Sequence, residues 1–124
     1  MPLLNENKNQ APREFMLKWY KVRRRVSDQF GKRPDLNAIL FLIGLNEVGI
    51  LREEFEKEEK QDLMHVAVCK LLSDEGFYVF EGKDDDGWPN YRATKKLPEL
   101  DLKKQEELLK TKIVKYFEQN GLLD

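Results

Sequence analysis

The stretch Asp35–Gly49, DLNAILFLIGLNEVG, decides the fold of this chain. Apolar residues cover almost its whole circumference as a helix, and a helix that is apolar all round is buried among its neighbours. Asp35 can accept hydrogen bonds from the free amides of the first turn, and Gly49 can end the helix in a left-handed conformation. Gly44 costs about 1 kcal/mol relative to alanine in a helix interior, which close packing of a neighbour usually justifies. We therefore expect the central helix of the core here, with Leu40 nearly inaccessible.

A first helix is predicted before this stretch, from about Arg13 to Phe30. At 100° per residue its apolar side chains form one narrow stripe: Phe15, Trp19, Val22, Val26 and Phe30. The preceding residues 1–12, MPLLNENKNQAP, are polar, rich in asparagine and bracketed by prolines. They are expected to form a flexible N-terminal arm outside the domain.

After the central helix comes an acidic connector, ILREEFEKEEKQ, which Ile50, Leu51 and Phe55 are expected to pin to the core. A third helix is predicted from about Lys57 to Ser73. Its apolar stripe consists of Leu63, Met64, Ala67, Val68 and Leu71, with Leu72 at the edge.

The pattern then changes to that of a β-hairpin at about residues 77–94. Aromatic and β-branched residues on both sides favour strands, and the sequence DDDG between them, ending at Gly87, is typical of a turn. A last helix is predicted from an N-cap at Asp101 to about Gln119. Its apolar stripe is Leu102, Leu109, Ile113 and Tyr116, widened by Leu108 and Phe117.

Residues 13–124 are thus predicted to form a single compact, mostly α domain of about four helices, with one β-hairpin between the third and fourth. The order loosely resembles that of the winged-helix family, which implies a third helix that enters the major groove of DNA. Here that helix follows the acidic run EEFEKEEKQD, and the tip of the wing is Asp84–Asp86. Both charges repel phosphates, so we expect no DNA binding of the usual winged-helix kind.

Composition narrows the class of protein. The chain has 124 residues, 40% of them hydrophobic and 36% charged, and its formal net charge is −1. A single cysteine, Cys69, excludes an intramolecular disulfide and fits a reducing compartment. Neither a signal peptide nor an apolar run long enough for a membrane span is expected. We therefore predict a cytoplasmic protein without a membrane partner.

The charges are unevenly distributed. Residues 13–33 contain eight basic and two acidic residues, a local balance of +6. The first helix carries a basic face opposite its apolar stripe, made of Lys18, Lys21, Arg24 and Arg25. Three interpretations stay open: a solvated or internally paired face, a binding site for an acidic protein, and a phosphate-binding site for RNA or DNA.

Aromatic side chains are concentrated in the hairpin. Trp88 and Tyr91 follow its turn, and Tyr78 and Phe80 lie in the facing strand. These residues either pack on the helices or form an exposed platform for a partner, because Trp and Tyr are enriched in interface hot spots.

No pattern in the chain supports catalysis. His65 and Cys69 share one side of the third helix with Glu58 and Asp62, an arrangement to be weighed as half of a zinc site or as a nucleophilic cysteine–histidine pair. A structural zinc site typically takes four Cys or His ligands. A nucleophilic cysteine needs a base and an orienting group in a cleft, and although Asp62 can orient His65, nothing marks an oxyanion site. The run beginning at Asp84 fails the spacing of a calcium-binding EF-hand loop. Common nucleotide-binding, hydrolase and metalloprotease motifs are missing from the sequence.

We accordingly predict no catalytic residues, no metal and no cofactor. The predicted function is that of a small, non-catalytic interaction or adaptor protein, with Lys18, Lys21, Arg24, Arg25, Trp88 and Tyr91 as the partner-binding residues. Another protein is the expected partner. The alternative is a nucleic-acid-associated protein that uses the basic face, and the sequence leaves the oligomeric state open.

Overall fold

A computed structural model describes residues 2–31 and 34–123, with side chains described for all of these except residues 2–12 and Phe30. Four helices and one two-stranded antiparallel sheet are present in this part of the chain. In chain order they are α1 (Pro2–Phe30), α2 (Leu36–Val48), α3 (Lys57–Leu72), a short 3₁₀ helix (Ser73–Glu75), β1 (Tyr78–Lys83), β2 (Pro89–Ala93) and α4 (Leu102–Gln119). The predicted fold class is confirmed, because the hairpin lies between the third and fourth helices.

The first helix begins earlier than the sequence predicted, at Pro2 instead of near Arg13. A proline is compatible with the first position of a helix, since an amide there has no partner within the helix anyway. Met1 and the side chains of residues 2–12 lie outside the described residues. The flexible arm and the division of the chain at residue 13 therefore stay predictions.

Helix α2 has the caps that its sequence predicts. The side chain of Asp35 accepts a 2.8 Å hydrogen bond from the amide of Ala38. Gly49 adopts a left-handed conformation with φ of 81°, and its amide donates to the carbonyl of Leu45. The buried positions of this helix are Ile39, Leu40, Ile43 and Gly44, which confirms it as part of the core.

Gly44 is in backbone contact with α3. A Cβ atom at this position would lie 2.6 Å from the carbonyl carbon of Leu63, and closer still to its oxygen. Real carbon atoms do not approach so closely, so only glycine allows the two helices to pack at this distance. The close neighbour that the interior glycine predicts is therefore the backbone of α3.

Helices α1 and α4 complete the core around α2 and α3. Val22 and Val26 of α1 are fully buried, and Ile113 and Phe117 of α4 are almost fully buried. Phe15 and Trp19 pack against this cluster as predicted. Other core members are Ile39, Leu40, Ile43, Ala67, Leu71, Val114 and Tyr116.

Two apolar residues that were predicted to face the core are exposed. Leu102 lies in the first turn of α4, where no neighbour covers it among the described residues, and is 71% exposed. Leu51 in the connector is 97% exposed, although Ile50 is half-buried and Phe55 packs edge-on against Phe41 at 5.2 Å. Successive residues of an extended chain point in opposite directions, so burial of Ile50 turns Leu51 outward.

The hairpin packs on α3. Phe80 pairs with Tyr91 across the two strands, and a bulge follows at Gly82, whose φ is 101°. The ring of Tyr78 meets His65 of α3 edge-on at 6.4 Å. Helix α3 also buries Val66 and Cys69, two positions outside its predicted stripe, because it is covered on more than one side.

No helix among the described residues is both long enough and apolar enough to cross a lipid bilayer.

Gly44→Ala is expected to destabilise the fold, even though alanine favours a helix by about 1 kcal/mol. The added methyl group must push α2 and α3 apart, and overpacking of this kind costs typically about 1–3 kcal/mol. Chemical denaturation of the variant measures the loss. Asn37→Ala, at an exposed position of the same helix, serves as the control for helix propensity. A Gly44→Ala protein as stable as the wild type would contradict the backbone contact with Leu63.

Candidate interaction surfaces

The four predicted basic residues of α1 have different surroundings. Lys18 forms a 3.1 Å ion pair with Glu118 of α4, so it is in part internally paired. Lys21, Arg24 and Arg25 are exposed, and none of them forms an ion pair with another described residue. One basic face on the helical wheel thus becomes one partly neutralised lysine and three available cations.

The same helix carries exposed apolar side chains that the sequence analysis did not single out. Met16 is 68% exposed, Leu17 is 58% exposed and Tyr20 is 61% exposed. Arg13 and Arg24 lie on the same side of the helix at 100° per residue, away from the buried stripe. We call Arg13, Met16, Leu17, Tyr20 and Arg24 the outer strip. The sequence alone could have revealed the outer strip, because its large apolar residues lie opposite the core-facing ones on the helical wheel.

The basic and the acidic elements contact different parts of the core. Helix α1 packs on α2 and α4, whereas the acidic hairpin packs on α3 and on the 3₁₀ helix. No ion pair among the described residues joins α1 to the hairpin, so the hairpin does not neutralise the cations of α1.

Two of the acidic residues hold the 3₁₀ helix to α4. Asp74 and Glu75 each form a 3.1 Å ion pair with Lys112, whose side chain is largely buried, and Asp74 also binds Lys115. Burial alone would raise the pKa of Asp74, but hydrogen bonds from Lys115 and Lys112 outweigh it and hold that pKa below its ordinary value. This part of the acidic charge has a structural role.

The acidic turn of the hairpin also has a structural role. A carboxylate oxygen of Asp84 accepts 2.9 Å hydrogen bonds from the amides of Asp86 and Trp88. Gly87 has a φ of 86°, which the turn requires and which glycine adopts without strain. The turn is therefore built by its own first carboxylate.

An apolar groove opens between the C-terminal part of α2, the connector and the ends of α1 and α4. Its volume is about 690 Å³. Apolar side chains form most of its wall: Phe41, Leu42, Leu45, Ile50, Phe55 and Leu122. Arg25 lies on the α1 side, and Leu51 and Glu53 lie on the connector side. We call this feature the groove.

Three polar side chains of the groove, those of Asn46, Arg52 and Tyr116, already have partners within the domain. The amide of Asn46 donates to the hydroxyl of Tyr116, and that hydroxyl donates to Glu47, both at 2.7 Å. Burial raises the pKa of Tyr116 well above its ordinary value, and the hydrogen bond to Glu47 adds to this shift. Arg52 pairs with Glu59 and lies over the ring of Phe55. Arg25, the charged lining residue on the α1 side, forms no ion pair with a described residue.

The aromatic residues of the hairpin are only half exposed. Trp88 and Tyr91 are both half-buried, and Tyr91 packs against Phe80 with ring centres 5.7 Å apart. Burial raises the pKa of Tyr91 to about 12, and the negative charge of Glu47 adds to the shift. Phe80, at 52% exposure, is the more accessible aromatic residue. Partner binding by Trp88 and Tyr91 stays a prediction.

His65 and Cys69 are close together, with Nε2 and Sγ 3.5 Å apart. The thiol is buried, and burial raises the pKa of Cys69. A nucleophilic cysteine needs the opposite shift, because the thiolate is the reactive form. Within the described ranges, no group of three or more His, Cys, Asp or Glu residues is arranged to hold a metal ion.

Cys69 is expected to react slowly with a thiol reagent in the folded protein. Burial blocks access and the raised pKa reduces the thiolate fraction, so labelling at neutral pH should be at least about tenfold slower than in denaturant. Time-resolved labelling followed by mass spectrometry measures both rates. Equal rates would show an accessible thiol and would revive a chemical role for the pair with His65.

Asp74→Asn is expected to destabilise the protein near neutral pH by about 1–2 kcal/mol, through loss of charge-assisted hydrogen bonds from the two lysines. A carboxyl group whose pKa is lower in the folded state stabilises that state above its unfolded pKa. The contribution disappears as pH falls through the folded pKa. The difference between wild type and variant should therefore shrink in acid, below about pH 4. Denaturation at several pH values measures it, with exposed Asp85→Asn as control. A difference that persists in acid would contradict the assignment.

No protein-family model matches the chain, and neither a curated protein nor a solved structure matches it.

Proposed function

We propose that the protein is a small, non-catalytic interaction or adaptor protein that binds an acidic segment of another protein through the outer strip of α1. The observation that carries this proposal is the exposure of Met16, Leu17 and Tyr20, each more than half accessible, between Arg13 and Arg24 on one helix. Exposed apolar side chains scattered singly need no explanation, but three within five residues of one helix form a patch.

The composition of the outer strip fits a protein interface. Tyrosine and arginine are enriched among the residues that contribute most to binding, and methionine adapts to irregular partners. Arg13 and Arg24 form no ion pair with a described residue, so their charge is available to a partner. The partner segment that complements this surface carries apolar residues next to carboxylates.

The residues predicted from the sequence take different parts in this proposal. Lys21 and Arg24 add positive charge to the outer strip, whereas Lys18 is paired with Glu118 and Arg25 belongs to the groove. Trp88 and Tyr91 remain a second predicted binding surface. A cytoplasmic location is part of the proposal, supported by the single free cysteine.

A nucleic-acid-associated function is the second candidate. It is favoured by the exposure of Lys21, Arg24 and Arg25 without ion pairs to described residues, because phosphate backbones attract such cations without reading sequence. Phosphate contacts, however, give no reason for exposed Leu17 and Tyr20. The interaction with a protein accounts for both the charges and the apolar side chains.

Two variants separate these functions. The apolar variant is Leu17→Ser with Tyr20→Ser. The basic variant changes Lys18, Lys21, Arg24 and Arg25 to Gln. Because these side chains are exposed, each substitution should change stability by less than about 0.5 kcal/mol. We expect the apolar variant to lose a stoichiometric protein partner in pull-downs from the native cell, with recovery by the wild type insensitive to nuclease.

A matched control carries the same change in charge at exposed lysines elsewhere: Lys60, Lys83, Lys96 and Lys103 to Gln. This control should keep the partner, whereas the basic variant should bind it less tightly. Tight binding of duplex DNA or RNA at about 150 mM salt would overturn the proposal if the basic variant loses it and the apolar variant keeps it. The second candidate would then stand.

A further inference from the structure

Leu51 is the most exposed large apolar residue among the described part of the chain, with 97% of its surface accessible. It projects from the connector at the edge of the groove, whose wall it joins. An isolated leucine at the surface needs no explanation. This one lies directly beside an apolar concavity of about 690 Å³.

The groove is suited to receive an apolar side chain. Phe41, Leu42 and Leu45 of α2 form one part of the wall, and Phe55 and Leu122 form others. Asn46 and Tyr116 already hydrogen-bond within the domain, so an apolar occupant leaves neither of them without a partner. Insertion of a leucine removes apolar surface from water on both sides of the contact.

The charges at the groove are opposite on its two sides. Arg25 lies on the side formed by α1, and it forms no ion pair with a described residue. Glu53 lies on the side formed by the connector and is followed by Glu54, both exposed and also without ion pairs to described residues. Arg52 also lines the connector side, but its charge is already paired with Glu59. The surface thus contains an apolar projection, an apolar concavity, and one cation and two carboxylates without ion pairs to described residues.

We propose that two copies of this chain associate through the groove. Leu51 of each copy inserts into the groove of the other, and Arg25 of each copy faces Glu53 and Glu54 of the other. An interface with a two-fold axis uses the same surface on both subunits. Each leucine contact and each charge contact therefore occurs twice, once on either side of the axis. The surface is self-complementary in shape and in charge.

This inference goes beyond the proposed function, because the outer strip lies on a different side of α1 from Arg25. Other occupants fit the groove less completely. A small apolar ligand leaves Leu51 in water and does not use Glu53 and Glu54. An unrelated partner must supply both an apolar residue and charges of both signs, all of which a second copy already provides.

The oligomeric state tests the proposal directly. Sedimentation velocity or light scattering over a wide range of protein concentration should show a reversible dimer of the wild type. Leu51→Glu should weaken dimerisation at least about tenfold, because a buried leucine is replaced by a charge. Leu51 is almost wholly exposed in the single chain, so the variant should fold normally. Leu102→Glu, also at an exposed leucine, is the matched control and should remain dimeric.

Charge exchange gives a second, independent readout. Arg25→Glu alone, or Glu53→Arg with Glu54→Arg, should be monomeric, because like charges then face each other in both halves of the contact. An equimolar mixture of these two variants should form a heterodimer, since each half again pairs opposite charges. Heterodimer formation in the mixture supports the pairing of Arg25 with Glu53 and Glu54. Damage to the fold of either variant could not produce this result.

Three results would overturn the proposal. The first is a wild type that stays monomeric up to its highest soluble concentration. The second is an equal loss of dimerisation in Leu102→Glu and Leu51→Glu. The third is a mixture of the two charge variants that stays monomeric. Leu17→Ser with Tyr20→Ser leaves Arg25 and Leu51 unchanged and should not change the oligomeric state, so this variant tests partner binding independently of dimerisation.

Discussion

The backbone contact between Gly44 of α2 and Leu63 of α3 constrains the rest of the domain. Because no side chain separates the two helices at this point, their distance is set by the peptide groups themselves. Helix α2 is apolar on nearly every side, and α3 covers only one of them. The stripes of α1 and α4 pack into the same core, with Val26 and Phe117 among the most deeply buried side chains. The fold is the arrangement that buries Ile39, Leu40, Ile43 and Gly44 of α2 and leaves Phe41, Leu42 and Leu45 as part of the groove wall.

The packing of the helices determines which charged side chains form internal ion pairs. Ion pairs form where the core brings opposite charges together, as between the largely buried Lys112 and the acidic 3₁₀ helix, or between Lys18 and Glu118. The hydroxyl of Tyr116, which lines the groove, is hydrogen-bonded to Glu47 and Asn46. Cations on the solvent side of α1 have no comparable neighbour among the described residues. The packing of the core therefore decides which charges are internal and which are presented outward.

Helix α1 has three kinds of surface: the buried stripe, the outer strip and the side that borders the groove. The outer strip combines exposed apolar and basic side chains, and the groove combines an apolar wall with Arg25 at its edge. In the proposed dimer the outer strips of both copies remain free. Two linked binding sites raise the overall affinity for a partner that presents two segments, without any new contact. The two proposals are thus compatible, and each depends on a different side of one helix.

The sequence by itself determined the central helix with its caps, the interior glycine in need of a close neighbour, the hairpin with its acidic turn, and the order of the elements. These features depend on periodicity and on hydrogen bonds between residues close in the chain, which a single sequence records. Only the tertiary structure decided that Leu51 and Leu102 face solvent, that Val66 is buried, and that the basic residues of α1 separate into a paired lysine, an outer group and a residue of the groove. Each of these depends on which element packs against which side of a helix, and that is fixed by contacts between residues far apart in the sequence.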